Sequence, residues 1–172
     1  MQRTLILAAA VLLADQLSKW VMLQIVMQPP RVIEVTGFFN LVLTYNTGVS
    51  FGMFQGDAAW KPYFLIAVNL VVSLGLLAWL HREARNGASN GASNGGSAGL
   101  LPVAVGLVVG GALGNAVDRL HLPGVADFLD FHLAGWHWPA FNLADSAIVC
   151  GVALIVADGL FQPGRKGNKG RG

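Results

Sequence analysis

The stretch FNLADSAIV, Phe141–Val149, opens a long apolar run with Asn142 and Asp145 three residues apart. Asp145 therefore falls near the first turn of a helix apolar enough to enter a bilayer. A carboxylate is costly there, and an ionisable side chain inside a membrane is by default a functional-site hypothesis. Few other polar groups accompany the apolar runs: Asp15 and Lys19 in the first, Asn115, Asp118 and Arg119 at the end of the third, and Asp127 between the third and fourth. Two carboxylates in a water-poor pocket repel, so one keeps a proton while the other is ionised. Such a pair activates water as a base and protonates the opposing oxygen as an acid, as in aspartic proteases. Asparagine amides hold carboxylates and a peptide without adding charge, and an arginine steadies developing negative charge.

The elements that must position these groups follow from composition. The chain has 172 residues, 54% hydrophobic and 12% charged, with a mean hydropathy of +0.57. A soluble domain carries about a quarter charged residues, so the deficit indicates an integral membrane protein built as one compact domain. Four runs reach the roughly 20 helical residues that a span of roughly 30 Å requires. They cover about residues 4–27, 62–80, 100–117 and 141–161. The first contains Asp15 and Lys19 and lacks a small-residue cleavage site, so it reads as a span rather than a cleavable leader. Residues 31–54 differ: Val32, Ile33, Val35, Phe38, Phe39, Val42, Thr44 and Tyr45 favour strands, with Gly37, Asn46 and Gly48 as punctuation. The fold class expected is an all-α membrane protein of four transmembrane helices, with a small extracytoplasmic β element on the outer membrane surface. Residues 86–99, NGASNGASNGGSAG, are a low-complexity tract without an apolar face and read as a flexible cytoplasmic linker.

Charge placement orients the spans. Arg3, Arg82, Arg85, Arg165, Lys166, Lys169 and Arg171 flank one side, while Lys19, Arg31, Lys61 and Arg119 lie within helices or on the other. By the positive-inside rule both termini and the linker are cytoplasmic. Trp60, Trp136 and Trp138 fall at the outer helix ends, as an interfacial belt would. At 1.5 Å per residue Asp15 and Lys19 then lie roughly 16–23 Å up, in the middle to outer half. Asn115, Asp118 and Arg119 end their helix outside, Asn142 and Asp145 begin theirs there, and Asp127 lies in the outer connection. Four segments thus deliver polar groups to one level.

Singly, each group has a plainer reading. Asp15 and Lys19 are spaced i, i+4 and can neutralise each other. Asp118 beside Arg119 reads as a helix-end ion pair, and Asp145 gains from the helix macrodipole. Asp118, Asp127 and Asp130 all remain open as partners for Asp145. If residues 127–130 were helical, Asp127 and Asp130 would share a face. Gly106, Gly110 and Gly114 at four-residue spacing read as close helix packing. Cys150, the single cysteine, excludes an intramolecular disulfide and reads as a small packing residue. GVSFG, Gly48–Gly52, matches a nucleophile-elbow pattern but lacks the α/β sheet that would make Ser50 a nucleophile. His132 and His137 read as interfacial histidines rather than a zinc site. A proton-coupled carrier would also place carboxylates in the membrane, but the internal repeats and midplane helix breaks of carriers are absent from the sequence.

Five blocks together carry a resemblance: DQLSK (Asp15–Lys19), NTGVSF (Asn46–Phe51), GNAVDR (Gly114–Arg119), VADF (Val125–Phe128) and FNLAD (Phe141–Asp145). In this order and topology the chain closely resembles bacterial lipoprotein signal peptidase, the signal peptidase II family, over nearly its whole length. The resemblance implies a membrane aspartyl endopeptidase of the bacterial cytoplasmic (inner) membrane, without metal or cofactor. It implies cleavage of prolipoproteins just before a cysteine already carrying a diacylglyceryl group, with the active site near the outer face. The catalytic pair carries over to Asp127 and Asp145. Asn46, Gly48, Asn115, Arg119 and Asn142 match positions lining the substrate and inhibitor pocket, and Asp15, Lys19 and Asp118 are supporting residues. Globomycin is the inhibitor the resemblance implies. Membrane lipid is a further expected partner and nucleic acid is not, and the chain is expected to act as a monomer.

Overall fold

The computed structural model describes residues 1–48, 60–89 and 100–161. Outside them fall Ser50, the last residues of the expected β element (49–54), most of the expected linker (90–99) and the C-terminal cations from Arg165 onward. Four helices are long and apolar enough to cross a membrane. They are α1 (Gln2–Val21, extended by a π-helical turn, Met22–Val26), α2 (Lys61–Ser89), α3 (Leu100–His121) and α4 (Leu143–Phe161). Helix α2 runs well past the expected end at residue 80, carried on by the good helix formers Glu83, Ala84 and Arg85, and it takes in residues 86–89, the start of the expected linker. Pro62 and Pro102 sit in the first turns of α2 and α3, where a missing N–H costs nothing.

Helix α3 is the centre. In its spanning stretch 61% of residues are buried, against 22%, 11% and 17% in α1, α2 and α4. The outward faces of those three are apolar and uncovered, as lipid contact requires. Two glycines set how closely α3 is approached. A Cβ added at Gly110 would lie 2.6 Å from the Ala8 carbonyl oxygen of α1, and one at Gly111 would strike the Ala144 carbonyl of α4. Only glycine permits both backbones to come so near. Cys150, expected to pack, instead lies exposed on α4.

A four-stranded antiparallel sheet, in the order β1-β2-β3-β4, covers the end of the bundle where α1 and α3 finish and α4 begins. Strands β1 (Ile33–Thr36) and β2 (Phe39–Asn46) arise from the expected β element. Strands β3 (Val125–Leu133) and β4 (Trp136–His137) come from the connection between α3 and α4, which the sequence reading left without structure. Four helices and a small β element are present as expected, but the β element is larger: its sheet stitches two connections together. Met22, Met27 and Phe128 form a small core between the end of α1 and this sheet, with Ile33, Leu41 and Leu43 against it.

Strand β3 also settles the relation of two acids. Side chains alternate across a strand, so residues three apart point to opposite faces. Asp127, opposite Thr44, and Asp130, opposite Asn40, therefore face different ways. The shared face that a helix would give them does not exist.

Candidate active site

The start of α4 builds the first half of the site. Asn142 is its N-cap: its side-chain Oδ1 accepts from the Asp145 N–H at 2.9 Å, and its own N–H donates back to Asp145 Oδ2 at 3.3 Å. This reciprocal pair is a capping box, which satisfies backbone donors that the helix cannot. It also fixes the Asp145 carboxylate. Asn115 of α3 donates its Nδ2 to the other oxygen, Asp145 Oδ1, at 2.8 Å.

The second half comes from β3. Asp127 is 2% exposed, and its Oδ1 accepts from Asn142 Nδ2 at 2.7 Å. Asn142, itself fully buried, thus bonds both carboxylates at once. Asn46, at the end of β2, adds a further side-chain hydrogen bond to Asp127. Its own Oδ1 is occupied by the Gly48 N–H at 3.2 Å, so the amide NH2 is left to face the acid. At Gly48 an added Cβ would meet open space. Arg119 donates to the Asn115 carbonyl at 3.0 Å and is within electrostatic reach of Asp145, Asp118 and Asp127.

Beneath these groups lies a buried ionic cluster. Lys19 Nζ is 2.8 Å from Asp15 Oδ2 and 2.8 Å from Asp118 Oδ2, and it donates to Asn115 Oδ1 at 3.2 Å. Its three donors are all engaged. Asp118 is thus paired with Lys19, not with the adjacent Arg119 as the sequence reading has it. Neighbours on a helix point about 100° apart, and here Arg119 turns toward its own helix backbone. Gln16 joins the cluster, donating to Asp118 Oδ1 at 2.9 Å and Asp15 Oδ2 at 3.2 Å. Gln16 is absent from the site expected from sequence, yet it gives the same signal as Asp15, a polar residue inside an apolar span. Gly114 makes room for this: a Cβ there would lie 2.5 Å from Asp15 Oδ2.

The electrostatics single out Asp127. Burial, then the charge of Asp145, push the Asp127 carboxyl up to about 7, against the opposing pull of Asn142, Lys19 and Asn46. At neutral pH Asp127 therefore holds a proton much of the time. Asp145 is half-buried, and its two oxygens accept from Asn115 Nδ2 and the Asn142 N–H. Two carboxyl groups thus stand side by side, both bonded to one asparagine.

On the opposite face of β3 the rings of His132 and His137 stack with centroids 4.9 Å apart, and His137 Nδ1 lies 2.9 Å from Asp130 Oδ1. Asn40 donates to Asp130 Oδ2 at 3.0 Å. Among the described residues no three His, Cys, Asp or Glu side chains converge as metal donors.

Comparison with known proteins agrees in kind. Residues 7–161 match the family model described as Signal peptidase (SPase) II. The chain is 46% identical over 154 residues to the lipoprotein signal peptidase of Azoarcus sp. (strain BH72), covering 88% of this chain and 79% of that one. It is 38% identical over 170 residues to that of Alteromonas mediterranea, covering 99% and 86%. A solved structure described as a bacterial membrane enzyme superposes with a TM-score of 0.74 at 26% identity, covering 100% of this chain and 96% of the other.

Proposed function

The chain belongs to the signal peptidase II family, and on that premise we propose that it is a membrane aspartyl endopeptidase. It removes signal peptides from prolipoproteins by cutting before a cysteine that carries a diacylglyceryl group. The observation that carries this reading is Asn142, bonded to Asp127 and Asp145 together. Asp145, ionised, takes a proton from water as the water oxygen attacks the scissile carbonyl. Asp127 gives its proton to the carbonyl oxygen, forming a tetrahedral diol. As the diol collapses, the now ionised Asp127 takes a proton from one diol hydroxyl, the C–N bond breaks, and Asp145 gives the proton it took from water to the leaving amine. Asn46, Gly48, Asn115, Arg119 and Asn142 line the pocket for peptide or for globomycin.

Substrate geometry supports the same assignment. A cysteine bearing two acyl chains enters from the bilayer, so its peptide bond lies near the membrane boundary. The acids lie at that level, where α4 begins and the sheet covers the bundle. In the proposed orientation both termini are cytoplasmic and the sheet lies at the outer face of the inner membrane. The chain acts there as a monomer.

The test uses the purified full chain in bicelles with a prolipoprotein supplied with and without its diacylglyceryl group. Mass spectrometry of the products should show cleavage before the lipidated cysteine only, stopped by globomycin. Equal cleavage of the unlipidated form, or cutting at another bond, would overturn the assignment.

A further inference from the structure

The ionic cluster under the site has a symmetry that neutralisation alone does not explain. Asp15 Oδ1 accepts the backbone N–H of Ala144 at 2.9 Å, and Ala144 immediately precedes Asp145. Asp118 Oδ2 accepts the backbone N–H of Ala126 at 3.1 Å, and Ala126 immediately precedes Asp127. Both alanines are essentially inaccessible, at 0% and 1% exposure, so neither N–H has water as an alternative. Ala144 lies in the first turn of α4, where no intrahelical acceptor exists. Ala126 lies where β4 does not reach, since β4 pairs only with His132 and Leu133.

We propose that Lys19, Asp15 and Asp118 form a positioning clamp for the two acids. Each carboxylate grips the backbone one residue before one member of the pair, and the Lys19 ammonium between them sets the separation of the two grips. The third bond of Lys19 reinforces this: with Asn115 Oδ1 turned to the ammonium, its Nδ2 must face Asp145. All three clamp residues are positioning residues, since none touches either carboxylate of the pair. The clamp rests on the reading of Asp127 and Asp145 as the catalytic pair.

Charge arithmetic supplies a clean test. Two acids share one lysine, so replacing either acid leaves one balanced pair. Asp15→Asn and Asp15→Leu are therefore matched in charge and nearly in volume, but only asparagine keeps an oxygen acceptor for the Ala144 N–H. The same holds for Asp118→Asn and Asp118→Leu with Ala126. Misplacing reacting groups by 1 Å costs about 10²-fold in rate. In bicelles, with lipidated prolipoprotein, each leucine variant should show kcat at least about tenfold below its asparagine counterpart, with KM within about twofold. A supporting role limited to stability would lower the melting temperature of both and leave kcat equal, and that result overturns the clamp. Should the leucine variants not fold, Asp15→Ala and Asp118→Ala take their place. Amide exchange in the parent gives an independent reading: the Ala126 and Ala144 N–H groups should exchange only through global unfolding, and fast exchange of either in folded protein also overturns the clamp. Asp127→Asn and Asp145→Asn run alongside. If either cleaves normally, the catalytic pair is misassigned and the clamp falls with it. If both are inactive while leucine matches asparagine, the clamp alone is wrong.

Discussion

Asp127 and Asp130 are the same residue type, three positions apart on one strand, and both are shielded from solvent at 2% and 6% exposure. Their chemistry nevertheless diverges. Asp127 faces the helices, where burial and the charge of Asp145 push it up to about 7. Asp130 faces the other way and lies near the edge of the protein, covered chiefly by a half-exposed histidine. Its slight burial pushes it up, but hydrogen bonds from His137 and Asn40 pull harder, and it ends below the ordinary carboxylate value. Shielding from solvent is thus a poor guide to the state of an acid. Depth and the sign of the nearest charge decide it.

The largest consequence is for catalysis. Asp127→Asn should lower cleavage of lipidated prolipoprotein by about 10²–10⁴-fold, the contribution of a positioned acid or base. Asp130→Asn should stay within about threefold of the parent, since it lies outside that acid–base pair. Normal cleavage by Asp127→Asn beside an inactive, folded Asp130→Asn would break the contrast. Next in size is the pH profile. The proposed mechanism needs the proton on Asp127, which leaves at about 7, so kcat/KM should fall about tenfold per pH unit above that point. A rate unchanged to pH 9 would remove Asp127 as the proton donor.

Stability should respond with opposite signs at the two acids. A raised Asp127 binds its proton more tightly folded than unfolded, so its favourable contribution is full below the unfolded value of 3.8 and is lost as pH rises through about 7. Asp127→Asn should accordingly melt higher than the parent at pH 8, with the gain shrinking toward pH 5. The depressed Asp130 stabilises above 3.8 and loses that contribution as pH falls through its lowered value. Asp130→Asn should then melt lower than the parent at neutral pH, with the deficit closing in acid. Melting curves moving the same way in both would contradict the assigned environments. The smallest effect belongs to His137→Gln, which keeps a donor near Asp130. The His137 side chain is 53% exposed, and such pairs contribute about 0–1 kcal/mol, so a small melting shift with full activity is expected. A large loss of cleavage would tie the outward face of β3 to the reaction.

The contrast between these acids was only half legible in the sequence. Asp127 carried the family block, but β3 itself went unread. Residues Val125–Phe128 are buried on both faces, so the apolar–polar alternation that reveals a half-exposed strand is missing there. The four spans were readable because length and apolarity are local properties. So was the common depth of Asp15, Asn115, Asn142 and Asp145, which follows from counting residues along helices. The pairing of Asp118 was not, because its partner Lys19 lies on another helix while a plausible cation sits next door in sequence. Local spacing identifies which residues are polar at a given depth. It does not identify which of them touch.

The i, i+4 spacing of Asp15 and Lys19 has a consequence for how the protein is made. Synthesis delivers α1 long before the rest of its cluster: Asn115 lies 96 residues beyond Lys19. At ribosomal rates of about 5–20 residues per second, that gap lasts on the order of 5–20 s. A lone charge at the centre of an inserting helix costs about 2.5–3.5 kcal/mol on translocon scales. Within α1, Lys19 instead has Asp15 as its counter-ion, so this pair enters with no net charge and waits for Asp118 without a stranded charge. A glycosylation reporter fused after α1 alone would register this as efficient insertion of the parent segment and poorer insertion of Lys19→Met.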